Sequence, residues 1–203
     1  EAPRPIDISG YFDSSYVRLP GGSEPSSYQQ QTLSLFFGKT FGNWRFHSEL
    51  EYIFGPEVGP ANRHSGDPSG SLGLETAWLD YRYRDGLNVK FGILLTPTYW
   101  STHHYPSTTL TVLSPLLHQR IFPAVVIGTM VHGTRYFERE RFDYQIYGGT
   151  KEGFDGTQEN ENYVDGGEAL GGKVVAHLRP SRFFETTDLG VHLYSDRKGG
   201  GHQ

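Results

Sequence analysis

The chain has 203 residues, a net charge of −5 and no cysteine, so one domain suffices and disulfide frameworks, zinc ribbons and thiol nucleophiles are excluded. Its basic residues form no run or stripe, which removes the electrostatic footprint of nucleic-acid binding. No apolar stretch reaches the roughly 18–20 residues of a membrane helix, which excludes a helical membrane protein but not a β-barrel, whose strands bury only alternate residues in lipid.

Period-two alternation of apolar and polar residues predicts nine strands, at about 5–18, 31–41, 44–55, 72–84, 87–97, 123–137, 140–150, 168–179 and 183–195. The opening "EAPRPIDISGYF" lacks the charged and apolar regions of a secretion signal and reads as a mature N-terminus. In 44–55, Trp44, Phe46, Leu50, Tyr52 and Phe54 share one face, and Arg45, His47, Glu49 and Glu51 the other. In the next strand Ala77, Leu79, Tyr81 and Tyr83 alternate with Trp78, Asp80, Arg82 and Arg84. Leu87, Val89, Phe91, Ile93 and Leu95 oppose Asn88, Lys90, Gly92 and Thr96. The segment "VVIGTMVHGTRYF" is less regular and gives no clear faces. Near the end, Leu170, Val174, Ala176 and Leu178 oppose Lys173, His177 and Arg179.

The links between these strands alternate in length. Tight ones are expected at Gly42-Asn43, Asp85-Gly86, Arg139-Glu140 and Pro180-Ser181, and long polar ones at 19–30, 55–72, 97–123 and 150–167. Outer-membrane barrels show this rhythm, with short periplasmic turns and longer extracellular loops. A soluble barrel would hide its apolar face and wet the polar one; a membrane barrel inverts this. Position on the strand separates the cases. Rings on the apolar face gather near strand ends (Phe41, Trp44, Phe46, Tyr52, Phe54, Tyr81, Tyr83, Phe142, Tyr144), while Leu50, Ala77, Leu79 and Val89 lie nearer the middle. Such a distribution suits aromatic girdles at two membrane interfaces.

The expected fold class is therefore all-β: a transmembrane up-and-down antiparallel β-barrel in a bacterial outer membrane. Single-chain bacterial barrels have an even strand count. Nine strands, with first and last running the same way, imply that 1–203 forms one incomplete barrel domain, the N-terminal part of a 16- to 18-stranded parent. At about 22 residues per strand, such a parent needs roughly 350–400 residues. The alternative is a small barrel of 8 or 10 strands.

The segment 97–123 is more apolar than an exposed loop should be, with Leu110, Val112, Leu113, Leu116 and Leu117 in its second half. Folded into the lumen, it would act as a pore-constricting loop and bring His103, His104, His118 and Arg120 to the permeation path. The stretch "LDYRYRDGLNVKFGILLTPTYW", this segment and "RIFPAVVIGTMVHGT" resemble porins of the phosphate-selective porin O and P type, over roughly residues 72–136. In those porins a hairpin ending in a G-x-x-x-x-P turn leads into a loop folded inside the pore; here Gly92 and Pro97 would supply the turn. The resemblance implies a homotrimeric, water-filled channel, an ion-conducting porin passing small hydrophilic or anionic solutes in contact with membrane lipid and lipopolysaccharide. Phosphate selectivity does not carry over, because the family's basic ladder is absent. The expected pore lining mixes Arg45, Arg82, Lys90, Lys173 and Arg179 (with Arg84) with Glu49, Glu51 and Asp80 (with Asp7, Asp13, Asp143 and Asp188), and opposed charges suit a transverse field across a general pore.

No cofactor and no metal is expected. His103 and His104, adjacent on an extended segment, point apart, and no H-E-x-x-H or Cys/His spacing occurs. Asp155, Glu159, Glu161 and Asp165 could share divalent cations with lipopolysaccharide phosphates, but lack calcium-loop spacing. No G-x-S-x-G elbow or phosphate loop is present, so an enzyme is not expected. The rival functions are a non-conducting barrel that anchors or scaffolds a larger assembly, and a hydrolase using Ser101 with His103 and His104.

Overall fold

A computed structural model of the chain describes residues 5–17, 27–53, 57–58, 70–97, 125–138, 140–151, 167–180, 182 and 184–196. The described residues form strands and links, with no helix among them. In chain order the strands are β1 (Asp7–Val17), β2 (Ser27–Phe41), β3 (Trp44–Ile53), β4 (Glu57–Val58), β5 (Ser71–Arg84), β6 (Leu87–Leu95), β7 (Val125–Phe137), β8 (Glu140–Lys151), β9 (Glu168–Leu178) and β10 (Thr187–Asp196). Nine of them follow one another in a single up-and-down antiparallel sheet, and the two-residue β4 pairs with β2 off that path. Because consecutive strands reverse direction, the short links share one end of the strands and the long ones the other.

Two short links are as expected. Gly42 has φ 58, the left-handed conformation that a two-residue hairpin asks of its first link residue and that glycine adopts without steric cost. Asp85 and Gly86 join β5 to β6. The third link lies one residue earlier than the expected Arg139-Glu140, since Phe137 pairs with Glu140. Glu138 opens it at φ 53, a conformation costing a non-glycine residue about 1–3 kcal/mol. The fourth is a correction. Leu178 pairs with Thr187, so residues 179–186 form the link, and β10 starts at Thr187 rather than 183. β9 ends at Leu178, and Pro180, which has no N–H, cannot extend its ladder.

β2 also departs from expectation. It begins at Ser27, opposite Val17, and a bulge between Asp13 and Ser14 shifts the register. "SYQQQ" shows no alternation, so it reads as a loop in isolation; β1 supplies the backbone partner that makes it a strand.

The strands divide into two units, residues 1–40 with 46–77 and residues 41–45 with 78–203. In the second, register fixes the faces. Val131 pairs with Val89 and Ile146, Ile146 with Gly172, and Gly172 with Leu193. One row lower on the same face, Gly133 pairs with Tyr144, Tyr144 with Val174 and Val174 with Val191. This face is apolar and open: Ile146 is 55% exposed, Val191 65% and Leu193 72%. The other face carries Lys90, His132, Asp143, Lys173, His177 and His192, and the buried cluster lies there too, with Val126 at 0% and Tyr147 at 1% beside Leu94, Met130 and Ala169. Val126 and Met130 explain why the β7 segment read irregularly, for its polar side is partly apolar. In the first unit Ile8, Phe12 and Leu35 are exposed on one face, while Ser34 and Glu49 are buried on the other. Both units thus invert the soluble arrangement, exposing large hydrophobic side chains and sheltering polar ones.

Candidate functional site

The polar face of the second unit is built by parity. Arg45 on β3, Trp78, Asp80 and Arg82 on β5, and Lys90 on β6 fall on alternate positions of neighbouring strands, so their side chains meet. Lys90 Nζ lies 4.2 Å from the centroid of the Trp78 ring, and Arg45 Cζ lies 5.6 Å from it. Both distances suit cation–π attraction. Asp80 is 2% exposed; its Oδ2 is 3.6 Å from Arg82 Nε and its Oδ1 is 2.8 Å from His132 Nε2. Three cations therefore surround one indole and one carboxylate, a net positive patch with an aromatic floor.

A second group lies toward the short-link end of β8–β10. His177 stands opposite Arg141 on β8 and Asp188 on β10. Its Nδ1 is 2.8 Å from Asp188 Oδ1, and its Nε2 is 2.9 Å from Asp143 Oδ2 and 3.0 Å from Arg141 Nη2. Asp143 also takes a hydrogen bond from the Thr134 hydroxyl at 2.7 Å and faces Arg141 Nη2 at 3.2 Å. Every charge here has an opposite neighbour, the cross-strand arrangement that stabilises a sheet. Arg179 lies past the end of β9 and donates from Nη2 and Nε to Glu140 Oε1 at 2.9 and 3.1 Å. That pair is largely exposed and contributes little to stability.

Between the two groups the face is tighter. The Tyr147 hydroxyl is 2.9 Å from His192 Nε2, and the Tyr147 ring covers Gly171 so closely that a Cβ there would come within 2.3 Å of it. Glycine at 171 is thus what lets the ring lie flat across β9. Lys173 is placed where its charge acts on His192.

In the first unit Glu49 and Glu51 share the polar face, where with Asp13 they act electrostatically on Tyr11. His47 stacks on Phe36 at 6.0 Å, and Phe36 packs on Tyr11 at 6.1 Å.

Of the residues singled out from the sequence, Arg45, Asp80, Arg82 and Lys90 come together in one patch; Lys173 lies apart on the same face, and Arg179 sits at its short-link end. His103, His104, His118 and Arg120 lie outside the described residues, as do Ser101 and the acidic group Asp155, Glu159, Glu161 and Asp165. Sequence reasoning missed the role of His132 and His192, and of Tyr147 as the ring that fills the middle of the face. Their partners are fixed by the registers between strands, which alternation within one strand does not carry.

The arrangement can place fixed charges of both signs, hydrogen-bonding groups and a cation-capped indole along a polar surface. No protein-family model and no solved structure matches the chain. A stretch of 120 residues, 58% of this chain, is 32% identical to an uncharacterized protein of Aquifex aeolicus (strain VF5). The match takes in 26% of that protein, so the chain spans about a quarter of the curated relative it matches.

Proposed function

We propose that the sheet is part of a transmembrane β-barrel of 16 to 18 strands in a bacterial outer membrane, and that it acts as a homotrimeric porin for small hydrophilic or anionic solutes. The observation that carries this is the inversion of faces. Ile127, Ile146, Leu170, Val174, Leu189, Val191 and Leu193 are all exposed on one side of the second unit, while the opposite side holds ion pairs and buried groups. An apolar patch of that extent on a sheet wetted by water is an aggregation hazard. Against hydrocarbon it is the required surface.

Dimensions support the same conclusion. β7 has 13 residues, about 43 Å at ~3.3 Å per residue; tilted by about 40°, it rises roughly 33 Å, enough for an apolar band ~25 Å tall. Rings crowd the short-link end of the apolar face: Trp44 lies 4.7 Å from Tyr81, and Phe137 and Phe142 meet edge to face at 5.5 Å. Aliphatic residues fill the middle, as a girdle and a hydrocarbon band require. The Aquifex relative, of which 120 residues make up 26%, has a length of roughly 460 residues, sufficient for 16 to 18 strands at about 22 residues each.

Within the pore, the segment 97–123 is proposed to narrow the lumen. It leaves from β6 and returns to β7 beside an apolar part of the polar face, where Leu94, Val126 and Ala169 are buried. That filled region also favours the second reading, a plugged, non-conducting scaffold. Planar-bilayer recording of the refolded full-length protein separates them. Discrete, trimer-sized current steps are expected; a protein that inserts into the bilayer yet gives no steps would refute the porin and leave the scaffold.

A further inference from the structure

We propose that the outer rim at the short-link end holds the headgroup of an anionic phospholipid, with Arg135 as the phosphate contact; this rests on the membrane assignment made above. Arg135 belongs to the apolar face, since it pairs with Phe142, Phe142 with Ala176 and Ala176 with Leu189. It is an exposed cation on the side proposed to meet lipid. Its height makes that tolerable: it lies two residues inside the closing pair Phe137↔Glu140, about 7 Å along the strand, which is headgroup depth rather than hydrocarbon.

Its surroundings are shaped for an external anion. The guanidinium lies against the backbone of Gly86, where a Cβ would come 2.8 Å from Cζ, so the turn residue leaves it room to lie flat. The Tyr144 hydroxyl donates to Gly86 O at 2.8 Å, a second polar group at the same turn. Arg82, Arg141 and Arg179 each have a carboxylate within 4.0 Å. Arg135 has none among the described residues, although it stands beside Phe137, Phe142 and Tyr144 on the same face. A planar cation with several unused donors, above rings that suit the acyl–headgroup boundary, matches a phosphodiester accepting two parallel hydrogen bonds. A zwitterionic lipid brings its own ammonium to that phosphate and so competes with Arg135; phosphatidylglycerol does not. Short links face the periplasm in outer-membrane barrels, which places the rim in the phospholipid leaflet. The first unit repeats the pattern at Lys39, which follows Leu35 and Phe37 at period two on β2 and has no carboxylate partner among the described residues.

The test is native mass spectrometry of the full-length protein released from nanodiscs of phosphatidylcholine doped with phosphatidylglycerol, with insertion scored separately by protease protection. Wild type is expected to retain phosphatidylglycerol in preference to phosphatidylcholine, R135Q to lose that preference about tenfold, and R135K to keep part of it. Equal retention of the two lipids by wild type would overturn the proposal, as would an unchanged preference in R135Q. Failure to insert into any nanodisc would instead refute the membrane assignment, and this inference with it.

Discussion

A single arginine in the middle of the exposed apolar face distinguishes hydrocarbon from water. Ile146 is six residues from Glu140 on β8, about 20 Å along the strand at ~3.4 Å per residue. With a tilt near 40° that becomes roughly 15 Å of depth, close to the centre of the bilayer. Ala176 is on the same face but level with Phe142, two residues from Glu140, hence only about 5 Å deep on the same geometry. In lipid, Ile146→Arg is expected to cost about 2–4 kcal/mol and Ala176→Arg about 0–1. A difference of ~2–3 kcal/mol is roughly a 30- to 160-fold change in the folded-to-unfolded ratio. In water Ile146 is a surface site, 55% exposed, and both substitutions should fall within about 0.5 kcal/mol of wild type. Urea titration of the protein folded in phosphatidylcholine vesicles, followed by tryptophan fluorescence and by heat-modifiable gel migration, measures the difference. Equal stabilities for the two variants would show that this face does not meet hydrocarbon.

Two further outcomes follow from the polar face. Gly171→Ala places a Cβ 2.3 Å from the Tyr147 ring, and because that ring is buried it cannot simply swing away; a loss of about 1–3 kcal/mol is expected. Tyr147→Ala in the same chain should abolish most of that penalty, so a double-mutant cycle in the vesicle titration should give a coupling of ~1 kcal/mol or more. Arg45→Gln with Lys90→Gln removes the two cations placed over Trp78; the reversal potential in a salt gradient across a planar bilayer should shift toward cation preference, and an unchanged potential would take this patch off the permeation path.

Most of the strand order was legible because alternation is a local property. Lys90, Phe91 and Gly92 reveal their faces without any knowledge of their neighbours. The tight turns at Gly42-Asn43 and Asp85-Gly86 were legible for the same reason, their chemistry being contained in two residues. What escaped depended on partners. "SYQQQ" becomes strand only because β1 pairs with it, and 179–186 becomes the β9–β10 link, wider than the others at the same end, only because Thr187, not a residue nearer Pro180, meets Leu178. The site shows the same division. Arg45, Asp80, Arg82 and Lys90 could be assigned to one face by counting within each strand. Their convergence on Trp78, and the hydrogen bond between Asp80 and His132, depend on registers between strands that no single strand encodes.

The polar face is not polar throughout, and that bears on how the molecule would work. Val126 is fully buried, and Leu94, Met130 and Ala169 nearly so. Trp78 and Tyr194 pack against this cluster on the side that carries the charges. The buried residues sit toward the long-link end, where Leu94 pairs with Val126 one residue from the ends of β6 and β7, whereas the charged network of Asp143, His177 and Asp188 occupies the short-link end. The proposed lumen is therefore asymmetric along its axis, lined with charge at one end and narrowed by apolar packing toward the other. In such a channel the constriction sets which solutes fit, and the open charged end sets which are drawn in. Size exclusion and charge preference should then respond to separate substitutions, the first at Val126 and Met130, the second at Arg45 and Lys90.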